Sequence, residues 1–264
     1  MAMSPRKRAQ VSRGIQYALL ALVVVLLGLT MDWETIGAAF FDTEIIRGMF
    51  PEVLTTALKN TVLYTACGFA FGLALGLVLA LMRLSPVGPY RWLATGYIEF
   101  FRGLPALVVF IALSVGVPLA FPGRVIPGGT LGIATLALGL VGSAYMAETI
   151  RAGIQAVPKG QNEAARSLGM SAGTSMRSIV IPQAFRIVLP PLTNELILLT
   201  KDSSLVYLLG YTLSSVELTS FGRETLNQEK SMTPLIVISA CYLLITIPLS
   251  ILVRRLEAKA ERAR

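Results

Sequence analysis

Histidine is absent from this chain of 264 residues, and cysteine occurs only at Cys67 and Cys241. Two thiols without an imidazole cannot assemble a zinc site of the usual kind. Each cysteine lies inside an apolar run, where its ordinary role is that of a small buried hydrophobe, so no disulfide framework is expected. Charge is scarce as well: Asp, Glu, Lys and Arg make up 14% of the residues, against roughly 25% in soluble domains. No G-x-x-x-x-G-K-[ST] stretch occurs, so the chain cannot itself cradle the phosphates of ATP. Without a histidine, a metal cluster or a clear nucleophile–base pair, a membrane enzyme has no support.

What the chain does have is apolar length. Hydrophobic residues make up 54% of it and the mean hydropathy is +0.68. A bilayer core needs about 20 apolar residues per helix. Ile15–Met31, Asn60–Met82, Gly103–Gly123, Val125–Ala147 and Met232–Val253 meet that requirement. A sixth segment, Leu192–Tyr211, is interrupted by Glu195, Lys201 and Asp202. The expected fold class is therefore an all-α polytopic membrane protein of about six transmembrane helices.

The net charge of +8 is distributed in a way that needs no nucleic acid. With the N-terminus inside and six spans following, the inner side collects most of the Lys and Arg, including Arg6, Lys7, Arg8, Arg83, Arg91, Arg102, Arg254, Arg255 and Arg264. The outer side collects acids such as Asp32, Glu34, Asp42, Glu44 and Glu52. This is the positive-inside bias, and it places both termini in the cytoplasm.

The chain divides into a basic N-terminus, first helix and outer segment (1–51), a transmembrane domain (52–253) and a basic cytoplasmic tail (254–264). The first 31 residues have the basic start and apolar stretch of a signal sequence. That stretch exceeds the about 7–15 residues of an h-region, which favours a retained signal-anchor helix. Gly68, Gly72 and Gly76 form a small-residue groove at four-residue spacing, suited either to a contact within the subunit or to a dimer seam. Trp92–Gly103 sets Glu99 and Arg102 among aromatics and reads as an interfacial helix. Glu148 and Arg151, three residues apart on a helix, are placed to pair.

Between the fourth span and Leu192 lie roughly forty residues, far beyond the usual connection of about 4–6. Pro158, Gly160, Gly169, Gly173 and Pro182 cut this connection into short pieces. Asn162 is an N-cap candidate, followed by Glu163 at the positive end of the helix dipole. Ala164, Ala165 and Leu168 fall on one face, Glu163 and Arg166 on another, and Gly169 is placed to end the helix in a left-handed cap. Small side chains let a partner's groove close over the backbone. Lying on lipid, such a helix would instead present bulky Trp, Phe or Leu.

From Gly142 to Gly210 the sequence resembles the polar amino-acid branch of the ABC importer permeases. The resemblance is carried by Ala144-Tyr145, Glu148, Arg151-Ala152-Gly153-Ile154-Gln155, Val157-Pro158-Lys159-Gly160-Gln161, the EAA stretch Glu163–Gly169 and Lys201-Asp202-Ser203-Ser204-Leu205. Asn60-Thr61 and Tyr97–Pro105 extend it upstream, so that it covers about residues 52–253. Departures are Ile181 for the Leu of the EAA pattern, Val62 and Leu104 at two motif positions, and Asn162 where relatives carry a bulky residue.

The resemblance implies a type I importer fold in a bacterial plasma (inner) membrane, with the EAA loop at about 151–190. It implies ABC ATPase subunits carrying ATP and Mg, an extracytoplasmic substrate-binding protein, and a second permease copy or paralogue. In that reading Gln161, Glu163, Ala164, Ala165, Arg166, Leu168 and Gly169 couple to the ATPase. Asn60, Glu148, Lys201 and Asp202 are candidates for the substrate path, because intramembrane charge is costly and is paired or functional. A secondary transporter or channel for a small polar solute also fits an even number of spans with basic inner loops, but it needs no docking knob.

Overall fold

Backbone polar groups in hydrocarbon must bond within their own segment, so uninterrupted apolar runs become helices. The computed structural model describes residues 5–210 and 215–262, and every regular element among them is helical. Tyr211 and Arg264, which closed the expected sixth span and the basic tail, lie outside the described residues.

Helix α1 (Pro5–Thr30) is followed by two short helices, α2 (Trp33–Phe40) and α3 (Thr43–Met49). Asp32 and Asp42 start these short helices, their carboxylates accepting from the backbone amides of Thr35 and of Glu44 and Ile45. A π-helical turn, Val53–Leu58, leads into α4 (Lys59–Leu84), and α5 (Gly88–Gly103) runs back along it. The chain then bends by 103° at Leu104 and Pro105 into α6 (Ala106–Ile111), a π turn and α7 (Val117–Ala120). Helix α8 (Gly129–Gln155) is the longest central element. After it come α9 (Lys159–Ser167), α10 (Ala172–Ser175), a π turn Met176–Val180, and α11 (Ile181–Asp202). A 3-10 stretch, Ser203–Leu209, ends that run, and α12 (Leu218–Glu229) and α13 (Thr233–Arg262) complete the chain.

Four helical stretches among the described residues are long and apolar enough to cross a membrane: Gln10–Thr30, Val53–Leu84, Gly129–Gln155 and Thr233–Lys259. The bent pair Gly88–Gly103 and Ala106–Ala120 makes a fifth if it is counted as one span. The expected span around Leu192 is the end of α11, which does not meet the same apolar test. It is nonetheless a central helix, packed against both α8 and α13. The fourth expected span also shifts. It begins at Gly129 rather than Val125 and runs to Gln155, eight residues past the expected end at Ala147.

The centre of the fold is the α4–α8 pair. Gly68, Gly72 and Gly76 face α8 within the same subunit, which resolves the glycine groove as an internal contact. A Cβ at Gly68 would stand 2.7 Å from the Leu138 Cβ, and one at Gly76 would stand 3.0 Å from the Ser143 carbonyl oxygen. Gly153 does the same for α8 against α11, where an added Cβ would collide with Val188. Around this spine a core of Tyr64, Phe110, Leu138, Met146, Leu199 and Val206 is closed to solvent. Helix α1 is the opposite case: none of its membrane-length window is buried within the chain.

Candidate functional site

The connection expected to be a long loop is mostly helix. Helix α8 runs on to Gln155, and only Ala156–Pro158 and Leu168–Ser171 separate it from α9 and α10. Helix α9 starts three residues before the expected N-cap, with Pro158 in the cap position and the Gln161 amide bonded to the Pro158 carbonyl at 3.0 Å. Proline supplies a fixed φ suited to a helix start, so Asn162 is not needed there. Its side chain instead accepts from the Ser175 hydroxyl at 2.7 Å.

The far end of α9 follows expectation in detail. Gly169 has φ +87, its amide bonds the Arg166 carbonyl at 3.0 Å, and the Met170 amide bonds the Ala165 carbonyl at 3.2 Å. These two bonds form a Schellman cap, which needs a residue without a Cβ at its left-handed position. Arg166 adds a third tie from its guanidinium to the Met170 carbonyl at 2.7 Å, rather than pairing with Glu163.

The expected apolar face of α9 splits in two. Ala165 is buried against the chain, whereas Ala164 is open and Leu168 is 84% exposed. Gln161 and Glu163 are exposed too. An apolar side chain left open beside small residues on a capped nine-residue helix is a knob without a socket inside this chain. Beneath it, Val157, Val180 and Ala184 form a small core that joins the connection between α8 and α9 to the π turn and α11, and α9 itself packs on that turn and on α10.

The four path candidates lie at different depths. Asn60 begins α4 and donates to the Val216 carbonyl at 2.8 Å. Glu148 meets Arg83 at the other end of the same helix. At about 1.5 Å per residue, α4 separates the two levels by roughly 35 Å, so no single pocket holds both. Lys201 and Asp202 close α11 between these levels, Lys201 exposed and Asp202 half-buried.

Glu148 is the most heavily engaged of the four. One carboxylate oxygen accepts from Arg83 Nη1 at 2.7 Å and from Arg151 Nε at 3.0 Å, and the other accepts from Arg151 Nη2. Glu99 approaches Arg83 at 3.9 Å. The expected Glu148–Arg151 pair is present, and it is joined by Arg83, 65 residues away in the chain, which sequence spacing does not reveal.

Glu217, which its position in the sequence counts among the acids of the outer side, is completely buried. Its carboxylate caps α12, accepting from the amides of Thr219 at 2.6 Å and Ser220 at 2.7 Å, from the Ser220 hydroxyl and from Tyr242. Burial pushes its pKa up, and these hydrogen bonds oppose that shift. The sequence carries little signal for this cap, because the residues that favour the N-cap position are Ser, Thr, Asp and Asn rather than Glu.

Residues 72–262 match the family described as "Binding-protein-dependent transport system inner membrane component". The probable glutamine ABC transporter permease protein GlnM of Bacillus subtilis is 38% identical over 204 residues, 77% of this chain and 91% of that protein. The arginine transport system permease protein ArtQ of the same organism is 35% identical over 190 residues, 72% of this chain and 84% of that protein. Among solved structures, an amino acid ABC transporter crystallised with histidines superposes with a TM-score of 0.74 at 36% identity, covering 83% of this chain and 98% of the other. A helical membrane chain that carries a capped EAA helix after its central α8, and matches these proteins over most of its length, belongs to the amino-acid permeases of the binding-protein-dependent ABC importers.

Proposed function

We propose that this chain is the translocation half of an ATP-driven importer of polar amino acids, in which α9 is the coupling helix. ATP and Mg are bound and turned over on separate ABC ATPase subunits, and this chain is not itself an enzyme. An extracytoplasmic binding protein delivers the substrate, and a second permease, a copy or a paralogue, completes the pore. The α9 end faces the cytoplasm of a bacterial plasma membrane, and both termini lie on that side.

The observation that carries the reading is the pairing of Leu168 and Ala164, both open, with Ala165 buried and Gly169 holding the cap. In this reading Gln161, Glu163, Ala164, Arg166 and Leu168 meet the ATPase, while Ala165 and Gly169 hold the helix in shape. ATP-driven closure of the ATPase pair draws the two coupling helices together and turns the pore outward.

Asn60 at one end of α4 and Lys201 and Asp202 partway along give a substrate with both charges successive polar points along the path. Glu148, at the α9 end, is already neutralised by two arginines, which leaves the path to the other three residues. The relatives named for glutamine and for arginine support a polar amino acid as cargo.

The test is to extract the tagged chain from its host in mild detergent and identify what copurifies. An ATPase with a P-loop, in amounts equal to total permease, is the expected result. A folded chain that emerges without a nucleotide-binding partner overturns the reading in favour of a secondary transporter or channel.

A further inference from the structure

We propose that Arg83 and Glu148 are positioning residues for coupling: their ion pair joins the helix that carries α9 to α4, so that displacement of α9 reaches the pore. This rests on α9 being the coupling helix.

The connections around α9 lead to that pair. Helix α9 hangs from α8 through three residues, Ala156–Pro158. Through Asn162 and Ser175 it is bonded to α10, it packs on the π turn Met176–Val180, and the Val157, Val180 and Ala184 core ties its leading connection to that turn and to the start of α11. Gly153 against Val188 then brings α8 and α11 into backbone-level contact near the same end. A push on α9 is thus delivered to α8 and α11 together.

From there a chain of side chains runs to α4. Gln155, the last residue of α8, accepts from Arg151, and Arg151 holds both oxygens of Glu148. Glu148 in turn accepts from Arg83 in the last turn of α4. Glu99 of α5 lies 3.9 Å from Arg83, so two cations and two anions balance across three helices. Above this cluster α5 is tied to α8 separately, by Tyr97 to the Leu140 carbonyl at 3.0 Å and by the Arg102 guanidinium over the Tyr145 ring at 5.6 Å. Among the described residues, the Arg83 pair is the one ion pair between α4 and α8.

This assignment gives Glu148 a role distinct from contact with the cargo. A path residue sets which substrate passes and how tightly it is held. A positioning residue sets how much transport each ATP hydrolysed produces.

The experiment uses the full transporter, with its ATPase and loaded binding protein, reconstituted in liposomes. Wild type must show ATP-driven uptake, and its failure to do so would strike the coupling-helix reading rather than this one. Glu148→Gln and Arg83→Gln are expected to lower uptake per ATP by about tenfold, within the range typical of coupling between distant sites. ATP hydrolysis and the KM for loaded binding protein are expected to stay within about twofold of wild type. The double variant Glu148→Gln/Arg83→Gln should be no worse than the worse single, since both remove one interaction. Arg83→Lys, which restores the charge, should recover at least half of the ratio. If Glu148→Gln does not assemble with the ATPase, the comparison of Arg83→Gln with Arg83→Lys decides. An unchanged ratio in the Gln variants that assemble, or a loss expressed as altered KM or substrate range, overturns the proposal.

Discussion

The side-chain oxygen of Asn162 accepts a hydrogen bond from the Ser175 hydroxyl at 2.7 Å, and this bond staples the middle of α9 to the helix that follows it. Ser175 is fully buried, so the bond is shielded from water on that side. A neutral hydrogen bond of this kind is worth about 1 kcal/mol net. Ser175→Ala is therefore expected to lower amide-exchange protection in α9 by about fivefold while leaving α4 and α8 as protected as before. Unchanged protection in α9 would show that the staple adds nothing.

Leu168 and Gly169 are neighbours with different work, and substitution should separate them. Leu168→Asp places a charge on the knob and is expected to weaken ATPase binding by at least about tenfold, as loss of an interface anchor does. Gly169→Ala acts on α9 itself, because a Cβ at φ +87 costs about 1–2 kcal/mol. Titration of purified ATPase onto the variants reads the first effect. Exchange protection across residues 159–170 reads the second. A Gly169→Pro variant that transported normally would refute the role given to α9.

Glycine replacement should divide sharply by location. Gly76→Val forces side-chain atoms into the Ser143 carbonyl and Met146, and overpacking of this sort costs about 1–3 kcal/mol. Gly96→Ala on α5 meets nothing within 4 Å and gains helix propensity, by up to about 1 kcal/mol. Thermal unfolding in detergent should fall for the first and hold or rise for the second. Equal behaviour of the two would remove the seam from the account of stability.

Glu217 predicts a pH dependence with a definite sign. Its native pKa is raised above the ordinary 4.5 by burial, against the pull of its hydrogen bonds. Above pH 4.5 the native carboxyl keeps a proton that the unfolded chain has released. Stability from this group is greatest at low pH, declines as pH rises from 4.5 through the native value, and is flat beyond it. Glu217→Gln should remove that slope. Melting temperatures of wild type and variant across this range provide the check, and parallel curves would assign the slope elsewhere.

The parts of the site that were legible in the sequence are those set by local chemistry. Gly169 ends α9 because the cap needs a left-handed residue at that point, and the neighbouring sequence is enough to say so. Glu148 and Arg151 pair because helix geometry brings positions three apart together. Long-range partners were not legible. Arg83 reaches Glu148 across 65 residues, and Ser175 draws Asn162 away from the N-cap position that its own sequence favours. The hydropathy pattern likewise stops α8 at Ala147, because it weighs Glu148 as an isolated charge. Charge ends an apolar run without ending a hydrogen-bonded helix, and α8 continues to Gln155 with Glu148 held by two arginines. The exposed face of α9 was half legible, since which alanine turns inward depends on how α9 lies on the π turn and α10.

The glycine seam between α4 and α8 has a mechanical consequence. Where Gly72 meets Gly139 and Ser143, backbone lies against backbone, flanked by the side chains of Leu138 at Gly68 and Met146 at Gly76. A close-packed helix contact has low compressibility and transmits strain. A joint this close has little room to yield, so a displacement at one end of the pair is passed along it rather than absorbed.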